Sequence, residues 1–154
     1  MGRCPADGLA GNILIASPDT RSKGTAAPPQ VWRIYTASKC QHAARWRQLR
    51  ASGVNVISTW IDESEPGQTS DFTSLASRCI AEASRADYVL LYCEPGEVLK
   101  GALIEAGAAL ASGKRVLCVG TCSNLSPVLR HHPLWSEHPT VEEALAAVRP
   151  ILPT

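Results

Sequence analysis

The segment KGALIEAGAALAS, Lys100 to Ser112, is built of small and apolar helix formers, and after Lys100 its single charge is Glu105. A carboxylate on a helix that buries most of its surface is costly unless paired or hydrogen-bonded, and desolvation raises its pKa. The helix dipole offsets part of that cost near the first turns. These are the conditions of a carboxylate nucleophile or a general acid/base. The competing reading places Glu105 on the one solvated stripe of the helix. Gly101 and Gly107 flank it, and both cost helix stability relative to Ala. Gly101 suits close approach of a ligand to the helix start. Gly107 suits close packing of the helix on a sheet.

Three further places carry groups suited to chemistry. Tyr35, with Thr36 and Ser38 after it, offers a phenol and two hydroxyls for sugar hydroxyls, a phosphate or the orientation of a carboxylate; otherwise Tyr35 simply ends its strand in the core. Asp71 follows Thr69 and Ser70, either as the structural cap of a helix or as a second carboxylate reaching the same crevice. Trp60 and Tyr92 end apolar runs, where either could stack on a base or fill the core. No phosphate-cradling glycine signature, Ser-His-Asp order or metal-ligand cluster appears, and His131-His132 reads as solvated loop. Neither a metal nor a cofactor is expected.

The elements that must position these groups alternate. Val31–Tyr35 reads as a strand, residues 42–52 as a helix stopped by Gly53, and Val54–Trp60 as a β-branched strand. A second helix runs from about Asp71 to Arg85, with Phe72, Leu75, Ala76, Cys79, Ile80 and Ala83 at three- and four-residue spacing. Tyr88–Cys93 is a continuous apolar run, as expected of a central parallel strand. The Glu105 helix follows, then a strand over Arg115–Gly120 and a short one over Leu134–Glu137. Thr140 and Glu143 form a capping box for the last helix, which Pro150 ends. The pattern predicts an α/β domain, three-layered and Rossmann/flavodoxin-like, with a mainly parallel sheet of about five strands. In such sheets the ligand lies beyond the strand C-termini, where Tyr35, Trp60 and Glu105 all fall.

Composition narrows the class. The 154 residues suit one domain, and 45% hydrophobic with 19% charged residues and a net charge of +1 give no footprint for nucleic acid or a membrane surface. The six cysteines show no CxxC and no zinc-type spacing with the four histidines, so a reduced, cytoplasmic environment is expected. No apolar stretch is long enough to span a bilayer, and the N-terminal apolar run is too weak for a signal peptide. Residues 1–30 read as a flexible leader in which Asn12–Ile15 could add an edge strand, and residues 31–154 as the α/β domain.

Taken together, these residues resemble the nucleoside 2-deoxyribosyltransferase family and its hydrolase cousins, the 2'-deoxynucleoside 5'-monophosphate N-glycosidases. The resemblance covers about residues 31 to 121. It is carried by the strand with Tyr35, by Asp71 ahead of Ile80–Asp87, and by Gly101–Leu110, where a glycine, three residues, Glu105, one residue and Gly107 are followed by Gly113-Lys114-Arg115-Val116. The resemblance implies that Glu105 attacks the anomeric carbon, that Tyr35 orients it, and that Asp71 contacts the sugar or protonates the base. Ser38, Trp60, Gly101 and Lys100 are the expected substrate-binding residues. The sequence departs from the transferases at Leu99, where they carry an Asp, and from the hydrolases, which carry a Ser there; Lys100 beside it suits a 5'-phosphate as a point charge. A small nucleoside or nucleotide substrate and a homodimer or higher homo-oligomer are implied. The alternatives are a non-catalytic nucleotide sensor on the same fold and a receiver-like module, for which the acidic cluster after the first strand is missing.

Overall fold

A computed structural model of the chain describes residues 30–148. The proposed leader and its Asn12–Ile15 strand, like Pro150, lie outside the described residues. Four strands, β1 (Ile34–Ala37), β2 (Tyr88–Cys93), β3 (Arg115–Gly120) and β4 (Trp135–His138), form one sheet in the order β1-β2-β3-β4, and every pairing is parallel. Helices α1 (Ala43–Ala51), α2 (Phe72–Arg85), α3 (Gly101–Ala111) and α4 (Val141–Ala146) supply the connections. All six residues of β2 are buried, which matches its unbroken apolar sequence.

The expected strand over Val54–Trp60 does not form. It contributes a single parallel bridge between Ile34 and Val56, held by Ile34 N–H to Asn55 O and Ile57 N–H to Ile34 O, both 2.9 Å. Two residues on, side chains take over from the backbone. The Thr36 amide donates to the Ser58 hydroxyl (2.6 Å), and the Thr36 carbonyl accepts from the Trp60 indole N–H (2.8 Å). With both main-chain groups of Thr36 satisfied in this way, the chain turns into a 3-10 turn over Thr59–Asp62. The sheet therefore has four strands where about five were expected. β1 also begins and ends later than Val31–Tyr35. The Val56 bridge lies on the side of β1 away from β2, so successive connections leave β1 in opposite directions, and the switch point falls between β1 and β2.

α2 and α3 pack against one another beside the first strands. Asp71 caps α2 by accepting from the Ser74 amide at 2.9 Å, and the helix buries Cys79, Glu82 and Ala83. α3 buries Ala102, Ala106 and Ala109, small residues at four- and three-residue spacing that let it lie close to the sheet. Gly107 is exposed, with open space where a side chain would stand, so the packing role expected of it belongs to these alanines. Where the first and last strand residues meet their neighbours, Gly120 (φ +88°) closes β3 so near to β2 that a Cβ there would collide with the Cys93 carbonyl oxygen. None of the helices among the described residues is long and apolar enough to cross a membrane. The five cysteines among them are free thiols.

Candidate functional site

A cavity of about 740 Å³ opens at the C-terminal ends of β1 and β2, at the switch point. The segment after β1 supplies Ser38, the 3-10 turn supplies Trp60, and α2 supplies Cys79. The start of α3 supplies Lys100, Gly101 and Glu105. Five of the seven site residues expected from sequence thus line one space. Tyr35, the sixth, is fully buried in β1 directly against this group.

Each wall is fixed by a specific contact. The Ser38 hydroxyl accepts from the Trp46 indole N–H (2.8 Å) and donates to the Lys39 carbonyl (3.1 Å). Because the Trp60 N–H is engaged by Thr36, Trp60 offers the cavity its ring and no free donor. Leu99 is 1% exposed, and Asn124 clasps it by accepting from its amide (3.1 Å) and donating to its carbonyl. That clasp sets the entry into α3, so Lys100 and Gly101 stand exposed at its first turn.

Glu105 is half-buried, in the second turn of α3. Burial pushes its carboxyl up to about 7; the Tyr35 hydroxyl and the Cys79 thiol pull it down, and the Glu82 charge adds to the rise. The same group acts back on its neighbours. Burial raises the Tyr35 phenol well above its ordinary range, with the Glu105 charge second in effect. Burial also pushes the Cys79 thiol up to about 11, while Tyr35 lowers it and Glu105 raises it. The Tyr35 hydroxyl is within reach of Glu105 and Cys79, yet no well-formed hydrogen bond engages it among the described residues. A buried hydroxyl left unpaired costs the fold stability, and catalytic hydrogen bonds are often loose until substrate tightens them.

Asp71 does not join this group. Its carboxylate is exposed and committed to capping α2, and it is absent from the cavity wall. Tyr92 also stands elsewhere: its hydroxyl accepts from Arg45 (2.8 Å) and donates to Glu94 (3.0 Å), and the Arg45 guanidinium lies 4.8 Å from its ring centre. In place of Asp71, the α2 residue that faces Glu105 is Cys79, which the helical periodicity of the sequence assigned to the core. Glu82, a turn further on, is a second buried carboxylate that its Ala-rich context did not reveal.

His42, Glu94 and Glu97 bring ligand-type atoms within 4.8 Å of one another. Their contacts are already mutual. His42 Nε2 lies 2.9 Å from Glu97, which also accepts from Gln41 (2.6 Å) and from the Glu94 amide (2.9 Å). Burial raises the Glu97 carboxyl, but the Glu94 amide and His42 together hold it below the usual carboxylate range. The network braces the loop after β2 and so the approach to Leu99. A second cavity of about 550 Å³ lies between α1 and α4, and Glu105 is not part of its wall.

No protein-family model matches the chain, and no curated protein matches its sequence. Among solved structures, a 2-deoxyribosyltransferase from the psychrotolerant bacterium Bacillus psychrosaccharolyticus superposes with a TM-score of 0.55 at 19% identity, over 72% of this chain and 88% of that one. This chain shares the fold of that 2-deoxyribosyltransferase. The CMP N-glycosidase BcmB of Clostridium botulinum covers 74% of this chain and 94% of its own at 19% identity, with a TM-score of 0.49, too loose a superposition to bear on function. The first likeness shows the architecture alone.

Proposed function

We propose that the protein cleaves or exchanges the N-glycosidic bond of nucleosides or their 5'-monophosphates, with Glu105 as nucleophile. The observation that carries the reading is a half-buried carboxylate, pushed up to about 7, beside an unpaired buried phenol in a cavity at the strand C-termini. Shared fold with a 2-deoxyribosyltransferase supports it as analogy alone. In the first step the ionised Glu105 attacks the anomeric carbon, a C–O ester bond forms, and the C–N bond breaks with its electron pair leaving on the base. Water or an acceptor base then displaces Glu105 and restores the carboxylate. Tyr35 completes its hydrogen bond to Glu105 as the sugar enters and holds the attacking oxygen in line. Trp60 lies flat against the base, and Lys100 at the cavity edge suits a 5'-phosphate.

The test is incubation with deoxynucleosides and deoxynucleotides, with and without an acceptor base, while following free base and exchanged product. Wild type is expected to release or exchange base, and Glu105→Ala is expected not to. Equal release by both proteins defeats the mechanism. One observation favours a second reading, a nucleotide sensor: among the described residues Glu105 is the sole carboxylate on the cavity wall, so none of them stands there as a second carboxylic acid to assist the base. Tight nucleotide binding without turnover, unaffected by Glu105→Gln, would select that reading.

A further inference from the structure

Glu82 is a buried carboxylate, 5% exposed, that the proposed reaction leaves without a role. It lies on α2 three residues after Cys79, on the stripe that the helix buries. Both of its oxygens grip one residue: Oε2 accepts from the Thr59 amide (2.9 Å) and Oε1 from the Thr59 hydroxyl (2.7 Å). Arg78 closes the other side, donating to the Thr59 hydroxyl (2.9 Å) and to Glu63 (2.7 Å). Thr59 opens the 3-10 turn, and the next residue is Trp60, a wall of the cavity. A neutral amide could make both contacts to Thr59 without the desolvation penalty of a buried charge. The charge therefore calls for a use beyond capping a turn.

We infer that Glu82 is a positioning residue of the Glu105 cavity, holding Trp60 in place through Thr59 and setting a fixed negative charge beside the cavity. The inference rests on the reading of Glu105 as the reacting carboxylate. The groups that act on Glu105 are Tyr35 from β1 and Cys79 and Glu82 from α2, with Lys100 at the start of its own helix on the same cavity wall. Of these, Glu82 is the one whose charge raises it. Arg78 and Cys79 complete the surroundings of Glu82, and the Glu82 charge acts on both. Burial does most to keep Glu105 from ionising at the ordinary carboxylate pH and the Glu82 charge adds to it, while the same two oxygens of Glu82 hold Thr59 and so the turn that carries Trp60.

The variant that separates the two roles is Glu82→Gln. The amide oxygen can still accept from the Thr59 N–H, and the amide nitrogen can donate to the Thr59 hydroxyl, so the grip is kept while the charge is removed. The titration of Glu105 is followed by NMR on protein labelled with carboxyl-13C glutamate, with Glu105→Gln assigning the resonance. In Glu82→Gln the Glu105 midpoint is expected to fall measurably below about 7 while burial still holds it above the ordinary carboxylate range, and the acid limb of kcat/KM to move with it at unchanged KM. Thr59→Ala is expected to do the reverse, raising KM about tenfold as the turn loosens while the Glu105 midpoint stays. An unmoved Glu105 midpoint in Glu82→Gln overturns the inference and leaves Glu82 a structural cap. If Glu82→Gln does not fold, a Thr59→Ala protein with KM unchanged overturns it as well. Because the NMR titration needs no turnover, a midpoint that moves in a protein that releases no base defeats the proposed reaction and spares the inference.

Discussion

Glu105→Gln replaces the carboxylate by a neutral group of the same shape, and it separates what the carboxylate costs the fold from what it does. In the wild type the unfolded chain ionises Glu105 at the ordinary 4.5, whereas the folded protein holds the proton to about 7. Between those values the unfolded state has released a proton that the folded state keeps, so stability falls as pH rises through the window and levels off above it. Below 4.5 both states are protonated and the carboxyl costs nothing. At 1.36 kcal/mol per pH unit, the interval corresponds to about 3 kcal/mol of lost stability at about pH 8. The variant has no such loss. It is expected to be more stable than wild type by about 3 kcal/mol at about pH 8 and by close to nothing at about pH 4, while losing turnover. Urea unfolding of both proteins at the two pH values measures this, and taking their difference cancels the titrating groups that Glu105 does not act on. A difference that is the same at both pH values refutes the placement of Glu105 in a desolvating cavity.

The same carboxyl should govern activity: kcat/KM for base release is expected to rise with pH through about 7, since the ionised form attacks, and a limb near 4.5 would contradict this. Tyr35→Phe removes an unpaired buried hydroxyl, so thermal unfolding should show no loss of stability, or a gain of about 1 kcal/mol, while kcat/KM falls by about tenfold or more; a destabilised variant with normal activity refutes the assigned role. Gly120→Ala meets the Cys93 carbonyl at a positive φ and is expected to cost about 3 kcal/mol or more, against about 1 kcal/mol for Gly53→Ala, where φ is also positive but the space is open. Denaturant midpoints compare the two directly. Nucleosides whose base carries a formal positive charge, such as 7-methylated purines, are expected to react faster than their parents; equal rates would show that the protein itself supplies the missing acid.

The fold was legible where the chain states one thing at a time. Tyr88–Cys93 and Arg115–Gly120 read as strands at the boundaries observed, because a strand covered on both faces needs an unbroken apolar run. Val54–Trp60 carries equally good strand residues and forms only a bridge, because Ser58 and Trp60 satisfy Thr36 with side chains. Period and propensity carry no trace of such a substitution. In the site, Glu105 stood out as a charge in an apolar helix. Asp71 read as a helix cap or as a second carboxylate of the crevice, and the three-dimensional arrangement turns its carboxylate to the Ser74 amide. Cys79 was visible as one more apolar position on α2, and nothing in one dimension marks it as the residue opposite Glu105.

The count of carboxylates then constrains the chemistry. Glycoside cleavage with retention ordinarily uses two: one attacks and the other protonates the leaving group. Here Glu105 is on the cavity wall, Asp71 is bound to a helix end, and Glu82 is spent on Thr59. The Cys79 thiol faces Glu105 but is pushed up to about 11, so it holds its proton too firmly to pass it readily to a departing base. Nor can Glu105 serve, since the ionised form that attacks has no proton to give. Departure of the base must then draw on water at the open side of the cavity or on a base able to leave unaided. Under the proposed reaction, a single raised carboxyl makes attack the step that the protein would assist, and it leaves the choice of substrate to the leaving group.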